Sequence, residues 1–424
     1  MISVLFGSSL LRVRMCVVAL VFLAHGHTPA LASESSPKPK IRTITAFVRI
    51  DPTRYRPQID EAVTMLRQAK AAFESRGYTV QTIRITTQPF SGYVGERSLA
   101  EALEFIKDLD KLSRKNAFLL NIGPLDPTGP AGAAKIELLS QVLVTTRANA
   151  SLVVAGEDGV HWDAIRAAAQ IIKYVENHSP NGVNSFDFAA VAMVPPNGPF
   201  FPASNHDGPG HQFAVGWEAG AFVDDVFAAA KGNMQLAKEL LAGQLEQQAT
   251  VIDEIATQVE KDSSWKYLGL DPTPAPGVDS SIGAAIEKLI GSKFGSPGTL
   301  SAAAVITHAE QSISVRRVGF SGLMLPVLED PVLADRWSEG TFDLDSLLAY
   351  SAVCGTGLDT IPLPGDVSQG QLEQIIGDVA SLAFKWHKPL TARLIPAPGK
   401  KAGDRTDFDF GVGKFPNVTL KPVR

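Results

Sequence analysis

The side chains able to do chemistry gather on a few Gly- and Pro-rich segments. Asn205-His206-Asp207-Gly208-Pro209-Gly210-His211 brings two imidazoles and a carboxylate close together. An imidazole titrates near neutral pH, so His206 is the acid–base candidate. His206, Asp207 and His211 can meet one metal only if the Gly-Pro-Gly turn folds back. No HExxH motif or cysteine cluster supports a site, so no metal ligands are assigned and the cofactor is left unknown. Ala352-Val353-Cys354-Gly355-Thr356-Gly357-Leu358-Asp359 sets a thiol, two glycines and a carboxylate on a tight turn. Cys354 is a candidate nucleophile there and Asp359 a group to orient it or the substrate. The competing reading of a lone cysteine is a small buried hydrophobe, and no base lies beside it in sequence. Asp279 leaves a Pro-rich loop, Leu270 to Ser281, where it can bind substrate; it, or a serine after it, can equally cap the next helix. Arg42 and Arg393, near the two ends of the chain, can pair with a carboxylate or phosphate.

Other chemistries are excluded by pattern. No Gly-rich loop runs into Lys-Ser/Thr, and no GxGxxG separates a strand from a helix. Gly319-Phe320-Ser321-Gly322 brings its second glycine one residue too early for a nucleophile elbow. The formal net charge is −5 and no basic stripe is present, so nucleic acid is not an expected partner.

These residues need a scaffold, and the chain supplies one. Strand-like runs alternate with amphipathic helices from Ile41 onward, starting with Ile41 to Ile50 and a helix carrying Ala62, Met65, Leu66, Ala69 and Phe73. Further strands are expected at Tyr78 to Thr87, Asn116 to Ile122, Asn149 to Ala155, Phe186 to Val194, Gln212 to Trp217, Trp265 to Leu270, Ser314 to Pro326, Gly355 to Leu363 and Leu390 to Pro396. Short apolar strands separated by helices imply a mostly parallel sheet covered by helices, and so many of them favour closure into an α/β barrel. A helical excursion is expected near 219–261. The 45 % hydrophobic and 20 % charged content is that of a packed globular protein.

The start of the chain reads as an export signal. Arg12 and Arg14 precede an apolar run, Met15 to Ala24, and Ala30-Leu31-Ala32 fits a cleavage site before Ser33. The run is too short to span a bilayer. The expected organisation is a signal peptide over 1–32, a linker over 33–40 and a single domain over 41–424, with an extracytoplasmic location.

Several segments in order resemble one family. They are Ile41-Arg42-Thr43-Ile44-Thr45, Pro199-Phe200 through His206, Pro272-Thr273-Pro274, Gly298-Thr299, Gly319-Phe320-Ser321-Gly322, Cys354 through Asp359, and Arg393-Leu394-Ile395-Pro396. Together they resemble the uncharacterised bacterial and archaeal family known as domain of unknown function 711. The resemblance implies a ten-stranded α/β barrel similar to that of pyruvate formate-lyase, with a loop reaching into its centre. It does not imply radical chemistry. Arg317-Val318-Gly319-Phe320 lacks the spacer of a glycyl radical motif, and the adjacent cysteine pair is absent. The chain also departs from the family in its export signal and in Asp207, inserted into a His-Gly-x-Gly turn.

The resulting expectation is an exported, non-radical enzyme acting on a small polar or anionic molecule. The alternative is an extracytoplasmic protein that binds a small ligand without converting it, and a third is a purely structural role. His206, Asp279, Cys354 and Asp359 are expected to converge on one pocket at the carboxyl ends of the strands. No oligomeric state is assigned.

Overall fold

Strand β1 (Lys40–Val48) shows how the sheet is built. Its β-branched run pairs in parallel with β2 (Val80–Thr87), from Ile41 opposite Val80 to Val48 opposite Thr87. The connecting helix, Tyr55–Ser75, buries Ala62, Met65, Leu66, Ala69 and Phe73, the set its 3.6-residue period predicts. The computed structural model describes residues 38–125, 132–275, 280–411 and 415–423. The expected signal peptide and Asp279 lie outside the described residues, as does the first part of the expected linker.

The same strand–helix–strand step continues through β3 (Leu119–Leu125) and β4 (Asn149–Gly156), with a short β5 (Gly159–Val160) folded back on β4. It ends at β6 (Phe188–Ala192), parallel to β4. The helix between β2 and β3, Leu99–Asn116, opens with a capping box in which Ser98 and Glu101 satisfy each other's backbone N–H groups.

Then the direction changes. β7 (Gln212–Glu218) runs antiparallel to β1, and β8 (Lys266–Asp271) runs parallel to β7. The helices Gly220–Ala230 and Met234–Asp262 connect those two strands. On the far side, β10 (Leu390–Ala397) is antiparallel to β6 and parallel to β9 (Gly357–Pro364). The order is β8-β7-β1-β2-β3-β4-β6-β10-β9, with β5 beside β4.

The sheet is mixed: a parallel block of five strands is flanked by antiparallel junctions, and six of the nine strand pairings among the described residues are parallel. It is also not a closed barrel, because the edge strands β8 and β9 do not pair with each other. The segment between them, Ser314 to Pro326, was expected to be a strand. It instead makes one bridge to each edge, Arg317 to Leu270 and Pro326 to Asp359. The reason is local. Gly319 and Ser321 adopt positive φ, and the N–H groups of Phe320 and Ser321 donate to the Asp271 carboxylate at 2.8 and 3.1 Å. N–H groups committed to a side chain cannot join a ladder.

Among the described residues, apolar side chains form two clusters. The large one lies between the sheet and its helices; the small one joins Ala189, Val191, Phe200, Ala203, Ala275 and Phe320. The second cluster belongs to the other face of the sheet, where the strands are unusually polar. Along β2, Thr82, Arg84 and Thr86 alternate with Ile83 and Ile85, so the polar set shares one face. No helix among the described residues is long and apolar enough to cross a membrane.

Candidate functional site

The polar face of the sheet is occupied by a finger, residues 197–206. Its two arms are tied by Asn197 N–H donating to the Asn205 carbonyl at 2.8 Å and by Ser204 Oγ donating to the Gly198 carbonyl at 2.7 Å. The strands hold it in turn. Thr45 Oγ1 donates to the Pro199 carbonyl at 2.9 Å, Asn121 Nδ2 to the Pro202 carbonyl at 2.8 Å, and Thr86 and Ser204 share a hydroxyl–hydroxyl bond at 2.6 Å. Gly216 leaves room for the tip, since a Cβ there would meet the Phe200 ring at 2.8 Å.

His206 sits at the base of this finger, by the carboxyl ends of β1 and β2. It is buried, stacked on Phe47 with ring centroids 5.7 Å apart. Its Nδ1 accepts from Gly208 N–H at 3.3 Å, while its buried Nε2 has no partner among the described residues. Burial pushes its pKa down to about 4; Arg49 adds to this and Asp207 opposes it. The ring is thus held neutral at pH 7 at the base of the loop. His211 lies apart from it, paired with Glu61 at 3.3 Å and tilted against Trp265. Among the described residues, no group of three or more His, Cys, Asp or Glu is placed to hold a metal.

At the other end of the finger, Phe200 and Phe201 roof a cavity of about 1110 Å³. Its walls include Arg42 on β1, Gln81 to Arg84 on β2, Leu119 and Leu120 on β3, and Asn149 on β4. These positions mark the amino ends of the parallel strands. This cavity lies at the opposite end of the parallel block from the carboxyl ends where the site is expected. The antiparallel junctions are the physical reason: they bring Asp359 of β9 and Arg393 of β10 to this end, beside Asp187 just before β6.

The cavity is electropositive. Among the described residues its walls carry seven cationic side chains against three carboxylates, in a chain whose net charge is −5. Glu329 links two of the cations, with Oε1 3.2 Å from Arg393 Nη1 and Oε2 3.4 Å from Arg42 Nη2. Arg42 also lies 3.6 Å from Glu218. Arg393 donates through Nε to the Phe186 carbonyl at 2.9 Å, stacks over the Phe186 ring at 3.8 Å, and meets Asp359 at 3.4 Å. Arg147 reaches Asp187 at 3.4 Å.

Arg84 differs from these. It is buried on the polar face of β2, its Nε donates to Thr82 Oγ1 at 3.0 Å, and its guanidinium lies 4.9 Å from the Phe201 ring centroid. No carboxylate pairs with it among the described residues. Burial, with repulsion from Arg42 and Arg393, pushes its pKa down to about 9 against the pull of Glu329, so it stays charged at neutral pH. Asp187 and Asp359 are pushed up to about 6, in each case chiefly by burial. Arg147 and Arg393 oppose the rise at Asp187 while Asp110 adds to it; Arg393 opposes it at Asp359 while Glu329 adds to it.

Of the residues singled out from sequence, the structure brings Arg42, Asp359 and Arg393 together. It does not bring His206 or Cys354 to them: neither lines the cavity. Cys354 is buried in the apolar core, and the nearby Lys388 ammonium donates to the Ala352 and Cys354 carbonyls rather than to a thiolate. Gly355 packs Cα-close against Gly322, which explains both glycines. The helix after Asp279 is capped by Ser281, whose Oγ accepts from Ala284 N–H at 2.9 Å. Arg84, Glu329, Asp187 and Arg147 escaped the sequence reading.

The family model described as Uncharacterised ACR (DUF711) matches residues 35–409. The chain belongs to that family. A UPF0210 protein of Pyrobaculum islandicum is 31% identical, covering 86% of this chain and 84% of its own. One from Bifidobacterium longum subsp. infantis is 28% identical over 86% of this chain and 85% of its own. The anaerobic ribonucleotide reductase from Thermotoga maritima, in complex with dATP and CTP, is similar at a TM-score of 0.35 and 8% identity, covering 83% of this chain and 75% of that one. The DUF711 relatives correct the reading of an exported enzyme. They are archaeal and bacterial proteins known only as UPF0210 proteins, and their names indicate neither export nor a reaction.

Proposed function

We propose that the DUF711 cavity beneath the finger binds a small oxyanion, a carboxylate or phosphate, with an apolar or aromatic body. The observation that carries this is Arg84. A buried guanidinium costs several kcal/mol to desolvate unless something pairs with it, and its neighbours Arg42 and Arg393 are answered by carboxylates while Arg84 is not. An anion entering the cavity supplies that partner, and the planar fork suits bidentate oxyanions. Phe200, Phe201, Phe186, Phe410 and Phe415 line the same space and suit the remainder of the ligand. The volume is of the order that small-molecule sites occupy, about 300–1,000 Å³.

Native mass spectrometry of the gently purified full chain, followed by a thermal-shift panel, tests this. The expected result is a co-purified anion, or stabilisation by aromatic carboxylates and phosphate esters that uncharged analogues of equal shape do not give. Equal stabilisation by the uncharged analogues sinks the proposal.

A further inference from the structure

Two carboxylates in the cavity wall converge on a single nitrogen. Glu329 Oε1 lies 3.2 Å and Asp359 Oδ1 3.4 Å from Nη1 of Arg393. The rest of that guanidinium is committed elsewhere, with Nε on the Phe186 carbonyl and its face on the Phe186 ring. Glu329 turns its other oxygen to Arg42 on β1, 3.4 Å away, whereas Asp359 has no second cation in contact among the described residues. The charged groups around the pair are Arg393 from β10, Arg42 from β1 and, further off, Arg84 from β2, together with two more carboxylates, Asp187 near Arg393 and Glu218 3.6 Å from Arg42. A buried carboxylate that shares its one cationic donor with a second, half-buried carboxylate is costly to keep ionised.

We propose that Asp359, held beside Glu329 on the one Nη1 of Arg393, takes up a proton when an oxyanion seats at Arg84, so that anion and proton are bound together. This rests on the anion reading above. An arriving anion places a further negative charge beside the pair and raises its affinity for a proton. One proton is then taken up from solvent for each anion bound. It remains on a carboxyl oxygen as an O–H that donates to an oxygen of the ligand, while Arg393 holds the other carboxylate. Charge-assisted O–H···O⁻ bonds are among the strong ones. The ligand class follows: weakly acidic oxyanions with basic oxygens, and not weakly accepting ions such as perchlorate. The position of Asp359 in the titration range, pushed up to about 6 by burial and then by Glu329 against the pull of Arg393, accords with this.

Isothermal calorimetry on the full chain at pH 7 decides it, using benzoate and inorganic phosphate in two buffers of different protonation heat. The expected uptake approaches one proton per anion. It falls toward zero in Asp359→Asn and, independently, in Glu329→Gln, while the anion still binds. Binding to the unsubstituted chain with no proton uptake overturns this inference and leaves the anion reading standing. Absence of binding heat for both probes overturns the anion reading and this inference with it. Should both variants fail to fold, carbon-13 carboxyl titration of the unsubstituted chain settles the matter. An Asp359 step near pH 6 that moves upward on adding benzoate is expected; an Asp359 step complete below pH 5 and unmoved by the anion overturns the coupled proton.

Discussion

The two ends of the polar face differ in kind. At the carboxyl ends of β1 and β2, His206 has the residue type expected of catalysis, yet it is neutral, stacked on Phe47 and closed off at the base of the finger. At the amino ends, the residues are arginines and carboxylates on the strands and the segments beside them, and they face open volume. Residue type alone therefore misdirects. A group can act on a ligand only where the fold leaves space beside it, and here the finger fills one end and roofs the other.

Removing Arg84 breaks the comparison most severely. Arg84→Met should weaken oxyanion binding by at least ~100-fold, since truncating one partner of a buried charge pair costs roughly 2–5 kcal/mol. The unliganded variant should melt no lower than the parent, because a cation without a carboxylate partner is itself a cost to the fold. Titration calorimetry and a melting curve read both effects; a large loss of stability would make Arg84 a structural residue.

His206→Ala should do the reverse. It removes a buried ring, so a loss of about 2–3 kcal/mol is expected, with oxyanion affinity unchanged. Chemical denaturation against calorimetry separates the two, and abolished binding with intact stability would restore His206 to the site.

The two ends should also answer acid with opposite signs. His206 is held near 4 in the fold, below its ordinary 6.5, so the stability it contributes is present above about pH 6.5 and is lost as pH falls toward 4. Asp359 and Asp187 are raised to about 6 from an ordinary 3.8, so their contribution is full below about pH 3.8 and is lost as pH rises through 6. Asp359→Asn should accordingly stabilise the protein at pH 7 by roughly 1–3 kcal/mol and change little at pH 4. Denaturation midpoints across that interval check it; a variant destabilised at both pH values contradicts the assignment.

The smallest effect belongs to Arg42, which is more exposed and already answered by Glu329 and Glu218. Arg42→Ala should lower oxyanion affinity by less than about tenfold and chiefly flatten its salt dependence, as removal of a rim charge does. A loss equal to that of Arg84→Met would show that the two arginines act as one unit.

Much of the fold was legible because period carries it. The helix Tyr55–Ser75 and strands β1, β2 and β4 follow from spacing alone. Ser314 to Pro326 misled because its apolar residues are strand-like while its N–H groups belong to Asp271, some fifty positions earlier, which no local pattern records. Arg42, Asp359 and Arg393 were readable as polar groups at strand starts and turns. Arg84 carried a signal that went unused: a cation at an alternating position of Thr82-Ile83-Arg84-Ile85-Thr86 is forced onto the face opposite the isoleucines. Glu329 carried none, because its meaning lies in reaching Arg42 and Arg393 at once, a juxtaposition made only by the antiparallel junctions.

The most direct test is to see where an oxyanion goes. A crystal of the full chain grown with 4-bromobenzoate and measured at the bromine edge locates the ligand without reference to any assumed pose. The expected map shows one anomalous peak in the cavity beneath Phe200 and Phe201, with the carboxylate on the Arg84 guanidinium. A cavity without bromine, or a peak at the His206 end of the finger, would contradict the anion site.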